Sequence, residues 1–332
     1  MKKLGFLLVF AMIFGLFLFT TTGFSEMKMA VIFPGSIQDA DYNTIGYIAM
    51  EKVGKEFGLK PAYSQKVAVP DAQRVLEEYI NDGYNLIWAH GAQFNGAVLR
   101  IVSKYPDVTF IIEGDAPLKK KYNNVYMMGR DYYKGFYVLG LVAGLKTKSN
   151  NIGYIGGLEL PFTYGELNAV YQALQKYNPK AKLHYIYVGD FNDPLKTRQA
   201  AEALIRKGCD VLLSAVNLGN FGLYNALKKA KKPVFFTGTY TSKKKYAPKH
   251  YLTSDLFNFV PPLEKAIKNI KNGTRSGYFP MEFGENKGRF VEFPVNNVPD
   301  TVNNMAKEVA KKIASGEIVV EKNLKTLMFE KK

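Results

Sequence analysis

From Met29 onward the chain alternates short apolar runs with stretches whose apolar residues recur at helical spacing, and Gly, Asn, Asp or Pro stands at nearly every change. Repeated on so short a period, that alternation predicts a parallel sheet covered on both faces. A strand returning in the same direction needs a crossover, usually a helix. The first unit spans Met27 to Tyr47. Met29 to Phe33 reads as a strand, Pro34, Gly35 and Ser36 break it, and Tyr42, Ile45, Ala49, Met50 and Val53 mark a helix opening near Asp39 or Asp41. Strands follow at Pro61 to Val67, Asn85 to Ala89, Val108 to Glu113 and Val125 to Met128, with helices over Asp71 to Asn81, Ala97 to Lys104 and Asp131 to Lys146.

TKSNN at 147–151 is polar and turn-rich, and the alternation then starts again. Strands are expected at Asn151 to Ile155, Ala181 to Val188, Val211 to Ala215 and Pro233 to Thr237, with helices at Tyr164 to Lys176, Pro194 to Lys207 and Gly219 to Lys229. A short apolar piece at Tyr251 to Leu252, a helix from Pro261 or Pro262, a strand at Gly288 to Phe293 and a helix at Val302 to Ile313 complete the chain. The 307 residues after position 25 exceed one domain of ~100–200 residues. Two doubly wound α/β lobes are therefore expected, the first of residues 26–147 and about 254–275, the second of 148–253 and about 276–332. The linkers would lie near Lys146 to Asn150, Tyr246 to Ser254 and Gly273 to Gly284.

Lys2 and Lys3, the apolar run Leu4 to Phe19, and then Gly23 and Ser25 have the form of a secretory signal cut after Ser25. The run is shorter than the ~20 residues of a membrane span, although retention as an anchor is the alternative. With no cysteine in the signal there is none to acylate, so a periplasmic or secreted protein, soluble after cleavage, is expected. Cys209 is the single cysteine, which excludes an internal disulfide and reads as a packing residue; with three histidines (His90, His184, His250) it leaves little for a metal site, and neither metal nor cofactor is expected. The net charge of +16 raises nucleic acid as a partner, but export and the scatter of the lysines argue against it. The densest runs, Lys119 to Lys121 and Lys243 to Lys245, read as solvated turns, with a weak pull on anionic lipid as the alternative.

In open α/β sheets ligands bind beyond the carboxyl ends of the strands. There this chain repeatedly places an aromatic ring beside a carboxylate, amide or hydroxyl: Asp39, Tyr42 and Asn43; His90, Gly91 and Phe94; Asp115; Phe162; Asn217; Gly238 and Tyr240. Facing each other across a cleft, such loops would form an apolar slot with a few directional polar groups, suited to a flat, polar-edged molecule such as a purine. The competing reading makes Asp39 or Asp41 a helix cap, Tyr42 packing and Asn43 solvated. No phosphate loop, G-x-G-x-x-G, G-x-S-x-G elbow or HExxH occurs. A secreted hydrolase using Asp39 with His90 is the enzymatic alternative; catalysis is not expected.

The residues resemble the BMP group (basic membrane protein, purine nucleoside receptor) of ABC-transporter substrate-binding proteins. The resemblance rests on GSIQDADYNTIGY at 35–47, YPDVTFIIEGD at 105–115, YKGFYVLGLVAGLKTKSNNIGYIGGLELP at 133–161, VGDFNDPLKTRQAAEALIRKGCDVL at 188–212 and APKHYLTSDLFNFVPPLEKAIKNIKNG at 247–273. It implies the architecture of type I periplasmic binding proteins, two lobes joined by a multi-strand hinge, a purine base or nucleoside between them and an ABC permease in the membrane as partner. A monomer is expected. Asp39, Tyr42 and Asn43 match the motif that holds the base, and Phe94, Asp115 and Phe162 match further cleft walls. Nucleoside binders resemble V-D-S-D-Q and T-S-x-L-K where this chain has TGTYT at 237–241 and TSDLF at 253–257, so the acid and lysine that would hold a ribose are missing. TSDLFNF, with Asp255, Phe257 and Asn258, is similar to the T-S-x-x-W-N-[WF] of the base-binding subgroup. A stand-alone surface receptor without a permease is the remaining alternative.

Overall fold

The structure, a computed structural model, describes residues 26–330; the signal segment expected over 1–25 lies outside the described residues. Two six-stranded sheets form the core of two lobes. The first contains β1 (Met29–Ile32), β2 (Ala62–Ser64), β3 (Leu86–Ala89), β4 (Thr109–Gly114) and β5 (Val125–Gly129). The second contains β6 (Asn151–Gly156), β7 (Lys182–Tyr187), β8 (Val211–Ala215), β9 (Phe235–Tyr240) and β10 (Tyr251–Phe257). A late strand completes each: β11 (Gly277–Pro280) pairs parallel to β5, and β12 (Arg289–Val291) pairs antiparallel to β10. The orders are β11-β5-β4-β3-β1-β2 and β12-β10-β9-β8-β6-β7, parallel except at β12.

The helices are α1 (Tyr42–Phe57), α2 (Ala72–Asn81), α3 (Asn95–Ile101), α4 (Tyr132–Lys146), α5 (Pro161–Tyr177), α6 (Pro194–Arg206), α7 (Asn220–Lys229), α8 (Val260–Lys271) and α9 (Asp300–Ser315). Helix α4 has no polar face, and eleven of its residues are buried, so it needs neighbours all round. It packs on α5, α9 and β10, all of the second lobe. Gly140 makes that approach possible: a Cβ there would lie 2.8 Å from the Val170 Cα. Cys209 is buried in the core of the second lobe.

This packing moves the expected boundaries. Residues 132–146 belong with the second sheet, as does all of β10, whereas α8 lies on α1 and β11 joins the first sheet. The chain therefore crosses between lobes at Arg130–Asp131, between Phe257 and Val260, and between Pro280 and Arg289. The segment expected as a linker at 146–150 is a turn inside the second lobe. Asp210 clamps it, its carboxylate accepting from the Thr147 hydroxyl and the Lys148 and Ser149 amides. Residues 246–254 likewise stay within the second lobe, feeding β10. Arg289 ties down two of the true crossings: it donates to the carbonyls of Arg130 (2.7 Å) and Tyr132 (3.0 Å) and pairs with the buried Asp255.

Candidate ligand-binding site between the lobes

The carboxyl ends of the strands of both sheets face each other and enclose a cavity of about 200 Å³. Larger troughs, of about 740 and 1070 Å³, lie at the opposite ends of the sheets, around Leu59 and Ile270 in one lobe and around Asp210 and Phe235 in the other. They are removed from the loops in which the sequence concentrates rings and polar groups.

Asp39 opens α1. One carboxylate oxygen accepts from the Asp41 and Thr44 amides (2.8 and 3.0 Å) and the Thr44 hydroxyl (3.0 Å); the other accepts from the Asn43 amide (3.0 Å) and side chain (2.6 Å). With both oxygens occupied it satisfies amides of the first turn of α1 from two residues before the N-cap Asp41, a role close to the capping alternative raised from the sequence. Asn43 is held between Asp39 and the Gly35 amide (3.2 Å), and a Cβ at Gly35 would lie 2.5 Å from its side-chain nitrogen. It reaches the cavity with its amide already committed.

Tyr42 is a fixed ring on the cavity wall. Its back is covered by the fully buried His90, with centroids 4.1 Å apart and 15° between the planes, and its hydroxyl donates to Glu113. Glu113 also accepts from Trp88 Nε1 (3.2 Å) and pairs with His90 Nδ1 (2.7 Å), while His90 Nε2 faces the Tyr42 carbonyl (3.1 Å). Burial pushes the Glu113 carboxyl up, but His90, Arg130 and the Tyr42 hydroxyl outweigh it and hold the group below its usual range. Enclosed on Glu113, His90 offers no base to solvent, and Asp39 has no free oxygen to pair with it. The hydrolase alternative loses both of its groups.

From the second lobe, Phe162 stacks on Tyr132 (4.8 Å, 25°) and lies nearly parallel to Phe191 (6.4 Å, 16°). Tyr240, in the left-handed region at φ +69°, approaches Tyr42 to 5.2 Å. Asn217 lines the same space, its side-chain oxygen buried and without a partner. Lys243 bridges the two lobes. Its ammonium lies 2.6 Å from the Asp41 carboxylate, both side chains are 3 % exposed, and the Thr241 hydroxyl donates to the Ala40 carbonyl (3.1 Å). Burial pushes the Asp41 carboxyl up to about 7 against the pull of Lys243. Lys243 is therefore not the solvated lysine the sequence led us to expect.

The family model for ABC transporter substrate-binding proteins of the PnrA-like type, Bmp, matches residues 26–324. The chain belongs to this family. It is 27% identical over 254 residues to a purine-binding protein of Brucella abortus, covering 75% of this chain and 69% of that one. It is 26% identical over 308 residues to basic membrane protein A1 of Borrelia garinii, covering 89% and 88%. A solute-binding protein of an ABC transporter system from Aeropyrum pernix shares the fold, with a TM-score of 0.77, 19% identity and coverage of 89% and 94%.

Among the site residues expected for this substrate-binding protein, Tyr42, Asn43, Phe162, Asn217 and Tyr240 line the cavity. The others are placed elsewhere. Phe94 is wholly buried in the core of the first lobe, and Gly91 (φ +117°) turns the chain after β3. Gly238 sits under the Lys243 stem, 2.7 Å from where its Cβ would be. Asp255 is buried on Arg289; Phe257 is packed among Tyr132, Tyr240 and Arg289; Asn258, just before α8, accepts from the Val260 amide at 3.0 Å. Asp115 stands behind the wall, where it accepts from Arg130 at 2.5 Å. Sequence reading passed over Arg130, Tyr132 and Phe191, all of which line the cavity. The signal that could have found them is position: Arg130 directly follows β5, and Phe191 lies in the loop after β7.

Among the described residues no group of three His, Cys, Asp or Glu could hold a metal ion, and no helix is long and apolar enough to cross a membrane.

Proposed function

We propose that the chain is an extracytoplasmic binding protein that captures a purine, as the free base at least as tightly as the nucleoside, and delivers it to an ABC permease without chemical change. The observation carrying this is the cavity itself. At about 200 Å³ it falls below the ~300–1,000 Å³ of sites for drug-sized ligands. Its walls are rings, Tyr42, Tyr132, Phe162, Phe191 and Tyr240, with a few directional polar groups among them. A flat heterocycle gains ~1–3 kcal/mol per stacking contact in such a slot. Lys243, the first lysine after the TGTYT segment, is committed to Asp41, which favours a base over a nucleoside. The relative named a purine-binding protein adds support. Delivery follows from ligand-driven closure: a ligand touching both lobes favours the closed pair over the open one, and the closed pair is what a permease would read.

A calorimetric panel of adenine, guanine, hypoxanthine and their nucleosides tests this, with recovery of the ligand unchanged and a rise in thermal stability at saturation. A nucleoside bound more than tenfold tighter than every base, ~1.4 kcal/mol, would overturn the preference for the base. Absence of binding across the panel would overturn the purine assignment, and turnover of any member would overturn the non-catalytic reading.

A further inference from the structure

Among the described residues that line the cavity, Arg130 is the only cation. It is 3 % exposed, and its guanidinium carbon lies 4.9 Å from the Tyr132 ring centroid and 4.8 Å from that of Phe162. One terminal nitrogen donates to Asp115, at 2.5 Å. The Nε, in contrast, is buried with no partner, as is the side-chain oxygen of Asn217 on the same cavity. Nine buried side-chain atoms among the described residues lack a partner, and these two alone belong to residues that line this cavity, where a ligand's own polar atoms could meet them.

We infer that Arg130 selects among purines, favouring those with a 6-oxo group, such as hypoxanthine and guanine, over adenine. The inference rests on the purine reading of the site. A guanidinium can only donate hydrogen bonds, so the ligand edge it meets must accept them. A 6-oxopurine offers O6 and N7 side by side, two acceptors that match the side-on fork made by Nε–H and the second N–H of the nitrogen that Asp115 holds. Adenine puts its amino group where O6 would be, and an N–H is then aimed at a cation. Asn217 adds a contact on the other edge, since its free oxygen can take the lactam N–H that hypoxanthine has and adenine lacks. An asparagine can turn its amide to suit either base; Arg130 cannot, so the discrimination falls to Arg130. Asp115 acts as a positioning residue: it holds one end of the guanidinium and leaves the rest of it for the ligand.

The test is calorimetry on the unaltered protein with three probes: hypoxanthine, adenine, and 7-deazahypoxanthine, which lacks the N7 acceptor. Hypoxanthine is expected to bind at least tenfold tighter than adenine and several-fold tighter than its 7-deaza analogue. Adenine binding as tightly as hypoxanthine would overturn the inference and leave the purine reading intact; if none of the three binds, the purine reading itself fails. Arg130→Gln supplies a second test, because glutamine both donates and accepts and pairs well with the N6–N7 edge of adenine. The ratio should fall to about one or invert in this variant. A ratio unchanged in a folded Arg130→Gln protein would show that Arg130 is not the determinant.

Discussion

Replacing Lys243 with methionine should weaken ligand binding without touching the ligand. The ammonium of Lys243 and the carboxylate of Asp41 meet 2.6 Å apart across the two lobes, each side chain 3 % exposed. Removing one partner of a buried pair costs ~3–5 kcal/mol when the survivor stays charged and buried. Asp41 has two escapes. It can regain water if the lobes part, and its carboxyl, already pushed up to about 7 by burial, rises further without Lys243 and takes a proton at neutral pH. The loss therefore falls on the closed arrangement alone and is limited to the ~1–3 kcal/mol of an unsatisfied buried group. Apparent affinity should drop ~5- to 150-fold as the competent fraction shrinks. Calorimetric titration at pH 7.5 with the tightest base measures this, and small-angle scattering should give a larger radius of gyration for the ligand-free variant than for the ligand-free parent. Asp41→Leu combined with Lys243→Met should recover much of the loss, because no charge is then left unpaired. At pH 5.5 the deficit should shrink, since Asp41 is then protonated in both proteins. Binding within twofold of the parent at pH 7.5, with an unchanged radius, would refute the reasoning.

Glu166 is buried, receives the Tyr154 hydroxyl, and is pushed by burial from its ordinary 4.5 up to about 8. The folded state thus holds a proton that the unfolded state gives up, so stability from this group is present at low pH and falls as pH rises from about 4.5 through about 8, by at most ~1.4 kcal/mol per unit. Glu166→Gln should remove that slope from urea unfolding curves measured between pH 5 and 9 while changing stability little at pH 5. Arg289→Met should strand Asp255 and the Arg130 and Tyr132 carbonyls, lowering stability by ~3–5 kcal/mol in denaturant titration. Gly140→Ala, which in an exposed helix would gain up to ~1 kcal/mol, should here lose ~1–3 kcal/mol, read as a fall in melting temperature, because its Cβ meets the Val170 backbone at 2.8 Å.

The two sheets were legible because each main strand is an apolar run bounded by turn residues. The crossings were not, because they depend on which distant strand each segment pairs with. GYFP at 277–280 has neither the length nor the alternation of a strand, yet it forms one against β5. The apolar piece at Tyr251 to Leu252 continues through TSDLF as a seven-residue strand, with the buried Asp255 paired to Arg289, 34 positions later. At the site, rings on the strand-end loops could be read as a pattern. The role of Asp39 could not, since a capping aspartate and a ligand-holding one look alike in sequence and differ only in whether nearby amides reach the carboxylate. Arg130 was missed for the opposite reason: an isolated arginine after a strand reads as a surface charge until Tyr132 and Phe162 are seen to enclose it.

The late arrival of β11 and β12 has a consequence for how the chain can be made. The first sheet lacks its edge until residue 280 is available, some 150 positions after its partner β5, and the second lacks its own until residue 291. Neither half can be completed as the chain emerges in order, and contacts this distant in sequence form slowly. A fragment ending before Gly277 would carry β5 as an exposed edge, open to pairing with other chains. No single cut therefore yields two self-sufficient halves: to release the first, residues 26–130 would have to be joined directly to residues 258–280.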